Sequence, residues 1–239
     1  MGSLELTCKA LIVQHDEATL FIRDGESYIA TELARGPWDR TSCHGGPIAA
    51  LLARSCEQFG AGEETSQWQL ARVTVELLRP VPVLEPLLIE TVSERPGRKV
   101  SLVGTSLATP KGIVVAKARA LRIRSLPVAL TETFVPEPSF SEAGGGVVER
   151  PTWADAFRAF HRDAVELRFT DGRFTERGPV ALWCRLTHPL FAGETPSGAQ
   201  RAAACADFSN GVSSELDPAD YLYINPDLTV HLLRAPEGE

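Results

Sequence analysis

Few residues of this chain combine a reactive type with a setting that would make them act, and the clearest is Asp207. It follows Ala199, Ala202, Ala203 and Ala206 in a segment of small residues, one turn beyond Ala203 and on the face that Ala199 and Ala203 share. A carboxylate on such a face costs free energy unless it is hydrogen-bonded. Burial would raise its pKa, and an adjacent amide donor would lower it. The alternative reading is a solvated aspartate at a helix end. A second setting is Thr41-Ser42-Cys43-His44-Gly45-Gly46-Pro47. Gly45 and Gly46 before a helix leave backbone amides accessible at its positive end, where they are candidates to hold a carbonyl oxygen as negative charge develops on it. A plain tight turn accounts for the same residues equally well. His44 reads as a capping or packing residue rather than a general base, because nothing in the sequence brings a carboxylate to orient it.

Other reactive residue types lack a constellation. Cys8, Cys43, Cys56, Cys184 and Cys205 are odd in number and no two have CxxC spacing, so free thiols are expected, with Cys56 and Cys205 as small apolar residues of helices. His15, His44, His161, His188 and His231 are scattered with no HExxH pair, and no metal is expected. Trp38, Trp68, Trp153 and Trp183 read as core residues before they read as the lining of a ligand tunnel.

The elements that must position Asp207 and the Gly-Gly turn emerge from an internal repeat. Val73-Thr74-Val75-Glu76-Leu77-Leu78-Arg79-Pro80 is echoed by Leu228-Thr229-Val230-His231-Leu232-Leu233-Arg234-Ala235-Pro236. Both copies alternate as strands, with Val73, Val75 and Leu77, or Leu228, Val230 and Leu232, on one face. Before the first copy, Thr41 to Pro47 starts a helix whose Ile48, Leu51, Leu52, Ser55, Cys56 and Phe59 fall at helical spacing. Before the second, Thr195-Pro196 starts the alanine-rich segment that ends in Asp207 and Phe208. Strands are predicted at 87–93, 100–107 and 113–123, and again at 164–169 and 180–187, with a short capped helix over 152–160.

Ser125 to Arg150, with Gly144-Gly145-Gly146, reads as a linker. The expected organisation is an N-terminal module over 1–126, a linker with a short helix over 127–160, and a C-terminal module over 161–239. If the two halves are homologous, the second module is expected to lack roughly 40 residues by the repeat offset. With 44% hydrophobic and 23% charged residues, the 239-residue chain has enough apolar material for one large core or two that share an interface. A net charge of -7 argues against a general nucleic-acid binder. No stretch has the length of a signal peptide or a membrane span, so a cytoplasmic location is the expectation.

A helix wrapped by a long antiparallel sheet, occurring twice, resembles the double hot dog fold of thioesterase II type acyl-CoA thioesterases, an α+β tandem arrangement. His44-Gly45-Gly46-Pro47-Ile48-Ala49-Ala50-Leu51-Leu52 is similar to the HGG-helix signature of the thioesterase-like superfamily, and Ala206-Asp207-Phe208 to its second-helix aspartate before phenylalanine. The resemblance implies hydrolysis of an acyl-CoA thioester, or of an acyl-carrier thioester, with no cofactor beyond the substrate's own CoA. In the family an aspartate, a hydroxyl residue and a glutamine position the attacking water. The aspartate carries over to Asp207. The hydroxyl position falls on Asn225, a departure in residue type, with Thr229 as the nearby hydroxyl alternative. The glutamine position would lie past Glu239. Since CoA is anionic and the chain is acidic, its phosphates need local arginines, and Arg79 and Arg234 at the ends of the repeated strands are the candidates. Two other readings stay open: a silent acyl-binding or assembly module, and a hot dog hydratase or dehydratase, which would need an Asp/His pair. Self-association as a homo-oligomer fits a fold that buries sheet edges by pairing.

Overall fold

Residues 18–60, 68–125, 145–151, 157–174, 176–212, 216, 220–221 and 223–237 are described by a computed structural model. Two short strands, β1 (Phe21–Asp24) and β2 (Ser27–Ala30), precede the helix α1 (Gly45–Gln58). Four long strands follow: β3 (Trp68–Leu77), β4 (Pro86–Arg95), β5 (Val100–Ala108) and β6 (Val114–Arg124). The later part holds β7 (Val147–Glu149), the one-turn helix α2 (Phe160–Asp163), β8 (Val165–Asp171), β9 (Ala181–Leu186), the helix α3 (Gly198–Ala206) and β10 (Asp227–His231). Every pairing is antiparallel, and the strands form a seven-stranded sheet in the order β1-β2-β4-β5-β6-β3-β10 and a three-stranded sheet β7-β8-β9.

Side-chain alternation explains which sheet face meets α1. Val73 and Val75 of β3, and Ala116, Ala118 and Ala120 of β6, are buried, while Lys117 and Arg119 are exposed. The alanines of β6 are small enough to let a helix approach closely. Ile48, Leu51, Leu52 and Cys56 of α1, all fully buried, fill the space above them. Burial pushes the Cys56 thiol up to about 12, which keeps it protonated and inert.

The two repeated strands pair with each other. Val75 faces Leu228, Thr74 faces Thr229 and Val73 faces Val230, so the repeat positions swap places about a local two-fold axis through the two threonines. Their hydroxyls meet at 3.0 Å on the outer face. The helices before them also pack together. A Cβ on Gly46 of α1 would lie 2.5 Å from the Ala204 carbonyl oxygen of α3, so the two backbones are effectively in contact there. Arg54 of α1 makes a two-point ion pair with Glu194 at 2.9 and 3.0 Å, and its guanidinium lies 4.8 Å above the Phe191 ring.

Three sequence expectations need amendment. The linker is not uniformly irregular, because Val147–Glu149 forms β7 and pairs with β8. The second repeated strand is shorter than its partner, ending at His231 with Leu233 fully exposed. Of the helix predicted over 152–160, residues 152–156 lie outside the described residues, and helical structure begins at Phe160. No helix among the described residues is long and apolar enough to cross a membrane.

Candidate active site

The first turn of α1 and the last turn of α3 meet at one end of the helix pair. α1 starts at His44, whose backbone is extended and whose N–H is tied to the Ala34 carbonyl at 2.9 Å. α3 is capped by Ser197, whose hydroxyl accepts from the Gln200 amide, and ends at Ala206. Asp207 is the next residue and opens a single 3-10 turn, Asp207–Ser209. Because α1 and α3 touch at Gly46 and Ala204, the aspartate arrives beside the start of α1. A Cβ on Gly45 would lie 2.6 Å from Asp207 Oδ2 and 2.8 Å from Leu77 Cδ1, so only glycine fits under the carboxylate.

Asp207 is not the solvated helix-end residue of the alternative reading, since its side chain is only 8% exposed. His44 Nδ1 lies 2.8 Å from its Oδ2, and Asn225 Nδ2 donates to its Oδ1 at 2.9 Å and to its backbone carbonyl at 3.1 Å. The Gly46 amide points at the same place, 3.1 Å from His44 Nδ1 and in reach of the carboxylate. A ring nitrogen and a carboxylate oxygen at 2.8 Å need a proton between them, and that proton sits on Nδ1. A protonated Nδ1 has no lone pair for an amide, so the Gly46 N–H is assigned to the carboxylate. Burial alone would raise the pKa of Asp207, but the electrostatic influence of His44, with hydrogen bonds from His44, Asn225 and Gly46, outweighs it and holds the acid below its ordinary 3.8. Asp207 is therefore an ionised, buried carboxylate.

His44 N–H is used by Ala34, Gly46 N–H by Asp207, and Pro47 has none, which leaves the Gly45 amide as the first-turn donor. The glycine pair thus supplies one candidate oxyanion donor, not two. His44 is wedged between Phe160 and Phe208, with ring centroids at 5.1 and 5.2 Å, which fixes its plane.

These groups line a cavity of about 420 Å³. Asp207, His44, Gly45 and Asn225 stand together on it, with Ile48, Leu77, Phe174 and Phe208 making apolar wall. Asn225 is carried in by the stretch before β10, where the Pro226 carbonyl accepts from Leu77 N–H at 2.8 Å. Thr229 is not part of the site. Leu228 and Val230 face inward, so period-two alternation turns Thr229 to the outer face, where it is exposed and bonded to Thr74. Arg79 borders the cavity and donates to the Val114 carbonyl at 2.9 Å. Arg234 is exposed and is not among the cavity-lining residues. Trp38 borders the cavity at 43% exposure rather than packing in the core, Trp183 is 37% exposed, and Trp68 stacks on the Arg122 guanidinium at 5.1 Å; Trp153 lies outside the described residues.

Two things escaped the sequence. One is the pairing of His44 with Asp207, residues far apart in the chain that meet only through helix packing. The other is His161 of α2, 3% exposed and on the cavity wall, which no spacing singled out.

Comparisons with known proteins bear on both halves. Residues 34–123 match the model of the acyl-CoA thioesterase N-terminal domain, and residues 131–239 that of the acyl-CoA thioesterase C-terminal domain. Among solved structures, the chain is similar to a conserved protein of unknown function with a hot dog fold from Alicyclobacillus acidocaldarius, at 19% identity and a TM-score of 0.64 over 92% of this chain and 78% of that one. It is also similar to the acyl-CoA thioesterase II TesB2 of Mycobacterium marinum, at 11% identity and a TM-score of 0.54 over 90% of this chain and 76% of that one. These likenesses establish the double hot dog fold. No match to a curated protein sequence was found.

Proposed function

Because the chain belongs to the acyl-CoA thioesterase family, matched over both of its domains, we propose that it hydrolyses an acyl-CoA thioester to the free acid and CoA, with Asp207 managing the attacking water. The observation that carries this reading is the buried, ionised Asp207 carboxylate on the cavity wall beside the Gly45 amide. A carboxylate offers about four acceptor positions, and His44, Asn225 and Gly46 occupy three. The remaining one is for water.

The water oxygen bonds to the thioester carbon as its proton passes to Asp207, and the carbonyl oxygen, now negative, is held by the Gly45 amide at the positive end of α1. Collapse of this adduct breaks the C–S bond, and Asp207 returns the proton to the leaving thiolate. His44 and Asn225 keep the carboxylate ionised and aimed. Asn225 supports the reading in place of the family's hydroxyl residue, because its amide donates where a hydroxyl would. No cofactor is needed beyond the substrate's CoA. Its phosphates belong on the Arg79 side of the cavity mouth, and Arg234 is set aside.

The pairing of His44 with Asp207 favours a second reading, a hydratase that adds water to a 2-enoyl thioester, since it supplies the Asp/His pair that such chemistry uses. One experiment separates the readings. Free-thiol release is followed on a panel of acyl-CoAs, with enoyl absorbance followed on a 2-enoyl-CoA of the same length. Thiol release from saturated substrates supports hydrolysis. Loss of enoyl absorbance without thiol release supports hydration. Binding with neither reaction leaves a silent acyl-thioester-binding module.

A further inference from the structure

We propose that Cys184 and Cys205 form a reversible disulfide by exchange with a small disulfide of the glutathione class, and that this bond shifts Asp207 and slows hydrolysis; the second part rests on the hydrolytic reading of the cavity. Cys184 stands on β9 and Cys205 in the last turn of α3, and their side chains are hydrogen-bonded to each other. Strand alternation explains one half of this meeting. Leu182, Cys184 and Leu186 share the β9 face that packs on the core, while Trp183 and Arg185 are exposed on the other. Helix geometry explains the other half. α3 turns Gln200 and Ala204 toward α1, where Gln200 Nε2 donates to Glu57 at 2.7 Å, and Cys205 follows about 100° further round, against β9. Both cysteines are partly exposed, within reach of a small molecule. By contrast, Cys56 is fully buried, and the Cys43 thiol donates to the Pro82 carbonyl at 3.6 Å.

The hydrogen bond to Cys205, and then burial, push the Cys184 thiol up, so Cys184 keeps its proton and points it at the Cys205 sulfur. Cys205 is therefore the sulfur that attacks first. Its thiolate bonds to one sulfur of the small disulfide and expels the other half as a thiolate, which takes up a proton. With Cys205 in a mixed disulfide, Cys184 gives its proton to water and bonds to Cys205 Sγ, expelling the second thiolate. Two protein thiols are oxidised to one disulfide, and the small disulfide is reduced to two thiols. The consequence for the site follows from the chain. To bond, the sulfurs close from hydrogen-bonding contact to bonding distance, which draws the last turn of α3 toward β9. Asp207 comes two residues later, and its backbone N–H is held by the Cys205 carbonyl. His44 and the Gly45 amide belong to the start of α1 and do not follow, so the carboxylate moves relative to both. A misplacement of about 1 Å at a reacting group costs about 10²-fold in rate.

The test treats the folded wild-type protein with oxidised glutathione, blocks the remaining thiols with iodoacetamide and maps the peptides by mass. The expected product is a Cys184–Cys205 cross-link that dithiothreitol removes. Cys184→Ser should stop at a glutathione adduct on Cys205, and Cys205→Ser should leave Cys184 unmodified. Cysteines 184 and 205 recovered unlinked from wild type overturn the proposal. Once glutathione is removed, thiol release from acyl-CoA by the cross-linked protein should be lower by at least about tenfold and recover after reduction and desalting. The double variant Cys184→Ser, Cys205→Ser should show no change on the same treatment. Unchanged turnover in cross-linked wild type refutes the coupling to Asp207. The peptide map needs no activity, so it tests the disulfide even in a protein that hydrolyses no acyl-CoA. In that case the coupling is read by calorimetry with a non-hydrolysable thioether analogue: weaker binding by the cross-linked form upholds it, and equal binding by the two forms refutes it.

Discussion

Replacing Asp207 by asparagine keeps the volume and removes the charge, which makes it the sharpest perturbation of the proposed chemistry. In the wild type Oδ1 accepts from Asn225 and Oδ2 from His44 Nδ1. An amide must turn its NH2 toward one of them. Facing Asn225 it sets donor against donor, and facing His44 it drives the ring proton off Nδ1. Either way one bond of the network is lost and no group remains to take a proton from water. Loss of a general base is worth about 10²- to 10⁴-fold in rate, or about 3–5 kcal/mol of barrier at 1.36 kcal/mol per tenfold. Stability should move far less. The charge-assisted hydrogen bonds lost, each worth about 1.5–3 kcal/mol, are offset by no longer burying an ion. The assay is thiol release from the best acyl-CoA of the panel, with calorimetric binding of a thioether analogue and a thermal melt alongside. Turnover reduced by at least 100-fold with analogue binding retained is the expected outcome. Turnover within about tenfold of wild type in a folded Asp207→Asn protein would show that Asp207 does not handle the water, and the mechanism would fall with it.

Three further outcomes follow from the same geometry. Gly46→Ala places a methyl 2.5 Å from the Ala204 carbonyl and 2.8 Å from Phe160 Cε1, and should cost about 1–3 kcal/mol by overpacking, read as a lower urea midpoint at unchanged slope. Thr229→Ala should leave kcat/KM within about twofold, because the hydroxyl is on the outer sheet face, whereas Asn225→Ala should lower it by at least tenfold through loss of a charge-assisted hydrogen bond to Asp207; equal effects of the two would contradict the facing described above. In acid, Asp163 is informative: burial would raise its pKa, but hydrogen bonds from Arg162, the Ala159 amide and Arg150 hold it at about 2. Its folded pKa lies below the unfolded value, so its stabilising effect is complete above the unfolded value near 3.8 and is lost as pH falls toward 2. Asp163→Asn should therefore flatten the acid-denaturation curve, followed by circular dichroism, within that window, and an unchanged slope there would refute the assignment.

Residue type and local pattern were enough to pick out Asp207, His44 and the Gly45-Gly46 turn, because an acid among alanines and a glycine pair before a helix are local signals. Their relation was not legible. The contact between His44 and Asp207 depends on α1 and α3 touching at Gly46 and Ala204, and small residues only permit such an approach without specifying it. Asn225 is reached by counting from the repeated strand, and the Pro226 carbonyl, bonded to Leu77, fixes the register just ahead of β10 that carries it beside Asp207. Thr229 failed for a reason the strand pattern itself contains: with Leu228 and Val230 inward, the residue between them must face out. His161 carries no pattern at all, being one of three polar residues in a one-turn helix whose placement depends on the Arg35 carbonyl.

The local two-fold relation between β3 and β10 raises the question of why one end of the helix pair carries the cavity. At the other end the arrangement is nearly mirrored. Glu57, near the end of α1, accepts from the hydroxyl of Ser197 at the start of α3 and from Gln200 Nε2 at 2.7 Å, as Asp207 accepts from residues at the start of α1. The difference lies in what covers each first turn. Above α1, Gly45 faces the Asp207 carboxylate and open cavity, and a substrate carbonyl has room to approach its amide. Above α3, a Cβ on Gly198 would lie 2.0 Å from the Pro236 carbonyl oxygen, so the chain after β10 already sits where a substrate would have to enter. The glutamate is thereby committed to holding two helices together, and the chemistry is left to the end where the acid meets a histidine, an asparagine and a space.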